Sequence, residues 1–234
     1  RGKNVKVLPY PGSVPELGLD VARYGQDGSR LYQMFKGEVW ESIEDEETGE
    51  VIERQTGREG YHVRMLDAWE KAPLIGNNPN NLGSTQRLHQ HALATGAQIV
   101  KFDVTGMGGT IEDGLRDMEY ERGGMPYYYV GVRSGATENV DTRTYRNLRA
   151  EFYFAIKKML IDGILDIDPE DTALISDLED MTYEYGMGSR IKMEDKDDMR
   201  KRGAHSPDNA DGMWFALIDV THLFEEQSKR QNFD

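Results

Sequence analysis

The sequence predicts an α/β domain in which helices flank a mixed β-sheet. Short apolar runs bounded by proline and glycine indicate buried strands. The first three strand segments are separated by turns and a hairpin, so we expect them to pair as an antiparallel meander. From residue 84 onward, helical segments alternate with strands, a pattern typical of parallel strands joined by crossover helices. A chain of 234 residues is long enough for one such domain.

The antiparallel opening begins with an apolar run that follows Pro15. The second strand begins after a turn that contains two glycines. A very acidic piece, residues 41–53, comes before the third strand and has a Thr48-Gly49 turn, so it predicts a solvated β-hairpin. The three predicted strands are residues 16–22, 29–36 and 61–68.

The rest of the chain alternates between helical and strand patterns. Ser84 is a suitable N-cap, and Pro169 and Pro207 suit the first turn of a helix. The predicted helices are residues 84–94, 110–122, 145–162, 169–181 and 206–224. The predicted strands are residues 98–104 and 126–132, with a short strand pair inside residues 183–193.

Composition and charge exclude several classes of protein. No run approaches the roughly 18 apolar residues that a membrane span needs. The absence of cysteine removes disulfides, thiolate catalysis and cysteine-based metal sites, and it fits a reducing compartment. The net charge of −14 repels a polyanion, so any nucleic-acid role must rest on local basic patches and on cations held by carboxylates. No phosphate-binding loop ending in Gly-Lys-Ser/Thr occurs in the chain.

Two aspartates lie where an ionised group is least expected. Asp20 is inside the first apolar strand, and Asp103 is near the end of the strand predicted at residues 98–104. Burying an ionised carboxylate requires a partner, such as a metal ion, a basic group or backbone amides. A structural acid bonded to amides or water would explain either aspartate alone.

Two further aspartates begin the last predicted helix. Asp208 and Asp211 are three residues apart and therefore project from one helix face. Alone, they would be explained by their favourable interaction with the helix dipole. Together with Asp20 and Asp103, however, they form a set of four carboxylates that would repel one another without divalent cations. Oxygen ligands favour Mg²⁺ or Mn²⁺, and two such ions about 4 Å apart can promote phosphodiester cleavage.

Four stretches in register resemble the C-terminal nuclease domain of phage terminase large subunits, which belongs to the RNase H-like superfamily. They are residues 19–29, 102–109, 145–151 and 206–212. The resemblance implies an RNase H-like fold and a metal-dependent endonuclease that cleaves double-stranded viral DNA concatemers during packaging into capsids. It also implies that Asp20 and Asp103 are metal ligands, and that Asp208 and Asp211 complete a catalytic site for two Mg²⁺ or Mn²⁺ ions. Of the last two, Asp211 is the favoured ligand.

The resemblance also implies a domain organisation and a set of partners. Residues 1–15 would be a lead-in from a preceding ATPase domain that the chain lacks, residues 16–225 the nuclease domain, and residues 226–234 a frayed tail. The expected partners are double-stranded DNA, an ATPase motor domain, the portal protein and the small terminase subunit. The expected location is the host cell cytoplasm, with no membrane association.

Five basic residues precede the last acidic motif and are candidates for contacts with DNA phosphates: Lys192, Lys196, Arg200, Lys201 and Arg202. Lys196 is the best single candidate by resemblance. Because acidic residues are interleaved with them, a solvated charged helix is the alternative. Arginines at the start of the long helix, Arg149 among them, either face DNA or pair with acids. Two other functions stay open: a RuvC-like resolvase of branched DNA, and a non-catalytic docking module for the portal or another packaging subunit.

Overall fold

The computed structural model describes residues 5–21, 28–45, 48–70, 72–76, 82–105 and 108–220. Its strands are β1 (Val5–Pro9), β2 (Glu16–Asp20), β3 (Gly28–Glu44), β4 (Val51–Glu70), β5 (Ile99–Asp103), β6 (Tyr128–Val132), β7 (Leu165–Ile167), β8 (Tyr183–Tyr185) and β9 (Ile191–Met193). Its helices are α1 (Ser84–Thr95), α2 (Gly108–Arg122), α3 (Leu148–Asp162), α4 (Thr172–Asp180), α5 (Lys196–Lys201) and α6 (Asp208–Leu217). None of these helices is long and apolar enough to cross a membrane.

Seven of the strands form one sheet, and this sheet is mixed, as the sequence predicts. Its order is β6-β5-β2-β3-β4-β7, and β1 also pairs with β3. The pairs β2–β3 and β3–β4 are antiparallel, whereas β2–β5, β5–β6 and β4–β7 are parallel. The antiparallel opening and the later parallel strands are therefore both confirmed.

The first part of the sheet is larger than predicted. β1 lies within the stretch expected as a lead-in, and it pairs antiparallel with β3 from Val5↔Glu41 to Pro9↔Gly37. β3 and β4 form one long ribbon, and the predicted acidic hairpin is confirmed as its distal end, where residues 41–44 pair with residues 51–54. The predicted strand at residues 61–68 is the last part of β4.

Caps set the helix boundaries where they differ from the sequence pattern. α3 begins at Leu148 because the side chain of Asn147 accepts a hydrogen bond from the Ala150 amide, 3.1 Å away. α4 begins at Thr172 because Asp171 caps it in the same way through the Leu174 amide. α6 ends at Leu217, earlier than predicted, because the backbone of Ile218 is extended. The final residues of the predicted helix, 221–224, lie outside the described residues.

The alternation of side chains along two central strands decides which residues face α6. Leu17 and Leu19 of β2, with Val100 and Phe102 of β5, belong to the apolar cluster on one face of the sheet. The residues between them, including Gly18, project from the opposite face. A Cβ atom on Gly18 would lie 1.9 Å from the Ala216 amide nitrogen, so the backbone of α6 rests directly on β2.

Candidate metal centre

The two strand aspartates lie at the same edge of the sheet. Asp20 ends β2 and Asp103 ends β5, and these strands are parallel neighbours, with Leu19 opposite Phe102. Because both aspartates follow a residue of the opposite apolar cluster, their side chains project toward α6. The two strand aspartates singled out by the sequence thus lie at the ends of neighbouring strands.

The helix aspartates are held in place by a cap from another helix. Asp208 is the first residue of α6, and Asp211 follows one turn later. Asp177 of α4 accepts hydrogen bonds from the Asn209 amide (2.9 Å), the Asn209 side chain (3.0 Å) and the Ala210 amide (3.3 Å). Asp177 satisfies amides that the first turn leaves free, and it fixes the direction in which α6 begins.

Three of the four predicted carboxylates meet at one ammonium group. The Nζ atom of Lys196 lies 3.2 Å from Asp20 Oδ2, 3.1 Å from Asp208 Oδ1 and 3.0 Å from Asp211 Oδ2. We call Asp20, Asp208, Asp211 and Lys196 the acid centre. The carboxylates are almost fully buried, so their charges are poorly solvated and depend on this shared cation.

Asp103 lies beside the acid centre, and no contact joins it to Lys196. Its Oδ1 atom accepts a hydrogen bond from the Thr105 amide at 2.9 Å. Burial raises the pKa of Asp103, and the charge of Asp211 raises it further. Within the described ranges, no group of three or more His, Asp or Glu side chains is arranged to hold a metal ion as it stands.

Asp211 also binds two residues of α3. Its Oδ1 atom accepts hydrogen bonds from the Tyr153 hydroxyl at 2.6 Å and from Arg149 Nε at 3.3 Å. Arg149 therefore pairs with an acid, which was one of the two alternatives left by the sequence. Tyr153 was missed, although it lies four residues after Arg149 and so on the same helix face.

Two carboxylates of the acid centre, Asp20 and Asp211, have pKa values shifted in opposite directions. Burial raises the pKa of Asp20 to about 7, and the negative charges of Asp211 and Asp208 raise it despite the attraction of Lys196. Burial would also raise the pKa of Asp211, but Arg149 and Lys196 outweigh this effect and lower it to about 2. Near pH 7 the negative charge is therefore held by Asp211 in preference to Asp20.

Four of the five basic candidates for DNA contact are paired with nearby acids. The four pairs are Lys192 with Asp195 (2.8 Å), Arg200 with Asp197 (2.9 Å), Lys201 with Asp198 (2.6 Å) and Arg202 with Glu194 (2.9 Å). Among these five candidates, only Lys196 reaches the acid centre. This pairing with neighbouring acids agrees with the alternative interpretation of these residues, a solvated charged helix.

A buried lysine fixes the far end of α6. Lys101 of β5 is completely buried, and its Nζ atom binds Glu16 Oε2 (2.6 Å), the Ala216 carbonyl (2.7 Å) and the Ile218 carbonyl (2.8 Å). These carbonyls lie at the helix C-terminus, where a positive charge is favourable. The only sequence signal was one polar residue inside an apolar strand. Asp177 and Lys101 together hold both ends of α6 above the strand aspartates.

An open cleft of about 450 Å³ lies beside the first turn of α6. Its lining includes Trp69, Asn209 and Arg30, and Arg30 lies opposite Asp20 in the register of β2 and β3. Arg30 Nε donates a hydrogen bond to Asn209 Oδ1 at 3.1 Å. The lining of the cleft contains one basic side chain, Arg30, and none of the acid-centre residues.

Comparison with known proteins finds relatives by structure and none by sequence. No family model matches the chain, and no curated protein matches its sequence. Among solved structures, a lysine-to-alanine mutant of the nuclease domain of the large terminase subunit gp2 of bacterial virus Sf6, with manganese and β-thujaplicinol, superposes with a TM-score of 0.60. It is 16% identical, and the match covers 89% of each chain.

Two further structures are similar over the same extent. A mutant gp2c from the bacteriophage Sf6 large terminase subunit, with calcium, has a TM-score of 0.61 at 14% identity and covers 94% of this chain and 90% of that one. The large terminase nuclease from thermophilic phage G20c, with bound magnesium, has a TM-score of 0.55 at 15% identity and covers 92% and 87%. The chain thus has an RNase H-like α/β fold. More narrowly, it has the fold of phage large terminase nuclease domains.

Proposed function

We propose that this chain is a metal-dependent endonuclease that cleaves double-stranded viral DNA concatemers during packaging into phage capsids. The observation that carries the proposal is the convergence of three buried carboxylates on one ammonium group, with a fourth, Asp103, at the neighbouring strand end. The shared fold adds support, because similar structures are nuclease domains that contain manganese, calcium or magnesium.

The acid centre suits a hard divalent cation. Its donors are carboxylate oxygens, the ligands that Mg²⁺ and Mn²⁺ prefer. These carboxylates already contact one positive charge, the ammonium of Lys196. We propose that Asp20, Asp103, Asp208 and Asp211 hold two such ions once Lys196 withdraws. When bound, the ions would activate a water molecule and stabilise the leaving oxygen of the phosphodiester.

The surrounding residues of the chain orient and complete the site. Arg149 and Tyr153 hold one oxygen of Asp211, while Asp177 and Lys101 hold the two ends of α6. Lys196, when it no longer bridges the acids, has an ammonium group free to bind a phosphate oxygen of the substrate. The net charge of −14 means that affinity for DNA rests on few basic groups of this kind.

The experiment that tests this function is plasmid cleavage with Mg²⁺ or Mn²⁺. Asp20→Asn and Asp103→Asn are each expected to reduce the cleavage rate by roughly 100-fold or more, since substitutions of groups that only support metal ligands already cost 10- to 100-fold. Asp113→Asn is the matched control, because Asp113 is an exposed residue of α2 that pairs with Arg116. Cleavage by both test variants at the wild-type rate would refute the proposal.

Substrate choice separates this function from the two alternatives. Supercoiled, linear and four-way-junction DNA are compared side by side, and a strong preference for the junction would favour a branched-DNA resolvase. A docking module would bind no divalent metal at the acid centre.

We further propose that residues 16–225, together with β1, act in the host cytoplasm as the nuclease part of a machine with an ATPase motor domain, a portal protein and a small terminase subunit.

A further inference from the structure

The two oxygens of Asp211 face different parts of the molecule. Oδ2 lies 3.0 Å from Lys196 Nζ, the ammonium that Asp20 and Asp208 share. Oδ1 accepts hydrogen bonds from the Tyr153 hydroxyl and from Arg149 Nε, both on α3. Only one oxygen of this carboxylate is therefore turned toward the other acids.

The α3 residues are held firmly enough to keep Oδ1. Tyr153 is 5% exposed, and a buried hydroxyl that loses its hydrogen-bond partner destabilises the folded state. Arg149 stacks 5.1 Å from the centre of the Tyr153 ring, and its Nη1 atom donates to the Glu194 carbonyl at 3.3 Å. Its Nη2 atom is buried and has no hydrogen-bond partner among the described residues.

We propose that Arg149 and Tyr153 are specificity-determining positioning residues that restrict Asp211 to one ligand oxygen and thereby favour Mg²⁺ over Ca²⁺. This inference rests on the proposed metal-dependent function. Mg²⁺ requires compact octahedral coordination, which suits a carboxylate that offers a single oxygen. Ca²⁺ takes six to eight oxygens in flexible geometry and often binds both oxygens of one carboxylate. A carboxylate whose second oxygen is occupied is thus a poorer ligand for Ca²⁺ than for Mg²⁺.

The inference is tested by calorimetric titration of the whole chain with MgCl₂ and with CaCl₂, without DNA. Tyr153→Phe removes the 2.6 Å hydrogen bond and leaves Oδ1 held only by Arg149 Nε, so the affinity of the variant for Ca²⁺ relative to Mg²⁺ should rise by about 10-fold. Tyr32→Phe is the matched control: Tyr32 is buried too, and its hydroxyl donates to Asp171 at 2.8 Å rather than to a residue of the acid centre. Its metal ratio should stay within about twofold of wild type.

Arg149→Lys gives a second, independent variant, because it keeps the positive charge but removes the planar Nε donor. It should shift the metal ratio in the same direction, and thermal unfolding identifies which variants are folded. Equal weakening of both metals in every folded variant, with the ratio unchanged, would mean a purely structural role and would overturn the inference.

The titration also separates failure of this inference from failure of the proposed function. If wild type binds either metal and Asp20→Asn does not, while Tyr153→Phe keeps the wild-type ratio, only the inference about Asp211 is overturned. If neither wild type nor Asp20→Asn binds Mg²⁺ or Ca²⁺, the proposed function fails, and the inference fails with it.

Discussion

Removing one buried charge should stabilise the metal-free protein. Asp20 is 7% exposed, and its pKa rises from 3.8 to about 7. A difference of one pKa unit corresponds to about 1.4 kcal/mol, so ionised Asp20 lowers the free energy of unfolding by about 4 kcal/mol. The attraction of Lys196 is already included in that pKa. Asp20→Asn keeps the shape of the side chain without the charge, and it should therefore raise stability by up to about 4 kcal/mol above pH 7.

The pH dependence of this gain has a definite sign. Below pH 3.8 the carboxyl is protonated in both the folded and unfolded states, so it carries no penalty. Between pH 3.8 and about 7 the folded state holds a proton that the unfolded state has released, so stability falls as the pH rises. Above the folded pKa the penalty is complete. The advantage of Asp20→Asn should therefore grow from near zero at acid pH to its full size at neutral pH.

Urea unfolding in the presence of EDTA measures this effect between about pH 4 and pH 8. Asp113→Asn serves as the control, because Asp113 is 69% exposed and should change stability little at any pH. Two results would refute the reasoning. One is an Asp20→Asn variant that is no more stable than wild type at pH 8, and the other is a gain that does not vary with pH.

Two further substitutions test the contacts of Lys196 and of Gly18. Lys196→Ala removes the ammonium that competes with a metal ion for the three carboxylates. Calorimetry should therefore find that the variant binds Mn²⁺ about 10-fold more tightly than wild type. An unchanged affinity would mean that Lys196 and the metal do not share a site. Gly18→Ala should lower the free energy of unfolding by about 3 kcal/mol or more, because its Cβ would lie 1.9 Å from the Ala216 amide nitrogen. Gly109→Ala, where nothing lies within 4 Å, is the control, and equal effects in urea unfolding would contradict the close approach of α6 to β2.

The order of elements and the position of the strand acids were predictable because local patterns encode them. The alternation of Leu17 and Leu19 with Gly18 and Asp20 assigns each residue to one face of the sheet. β1 was missed because its partner is residues 37–41 of β3, and no local pattern reveals a contact between positions so far apart in the chain. The predicted helix end at residue 224 failed because an apolar pattern continues where the backbone of Ile218 is already extended.

The contacts that complete the site were less accessible to sequence reasoning. Tyr153 and Asp211 are 58 positions apart, and Lys196 and Asp20 are 176 positions apart, so no local spacing relates them. Lys196 was singled out by resemblance, and its four basic neighbours turned out to pair with adjacent acids. Lys101 gave only one signal, a charged residue in an apolar strand, which does not reveal that it binds two carbonyls of α6.

Anomalous diffraction from crystals grown with Mn²⁺ would locate the metal at the proposed centre. We expect one or two anomalous peaks within about 2–2.6 Å of the carboxylates of Asp20, Asp208 and Asp211, with Asp103 at the edge of the same site. We also expect Lys196 Nζ to have left its position between the three acids. Crystals that diffract well in saturating Mn²⁺ but show no peak there, with Lys196 still bridging the carboxylates, would contradict the metal centre.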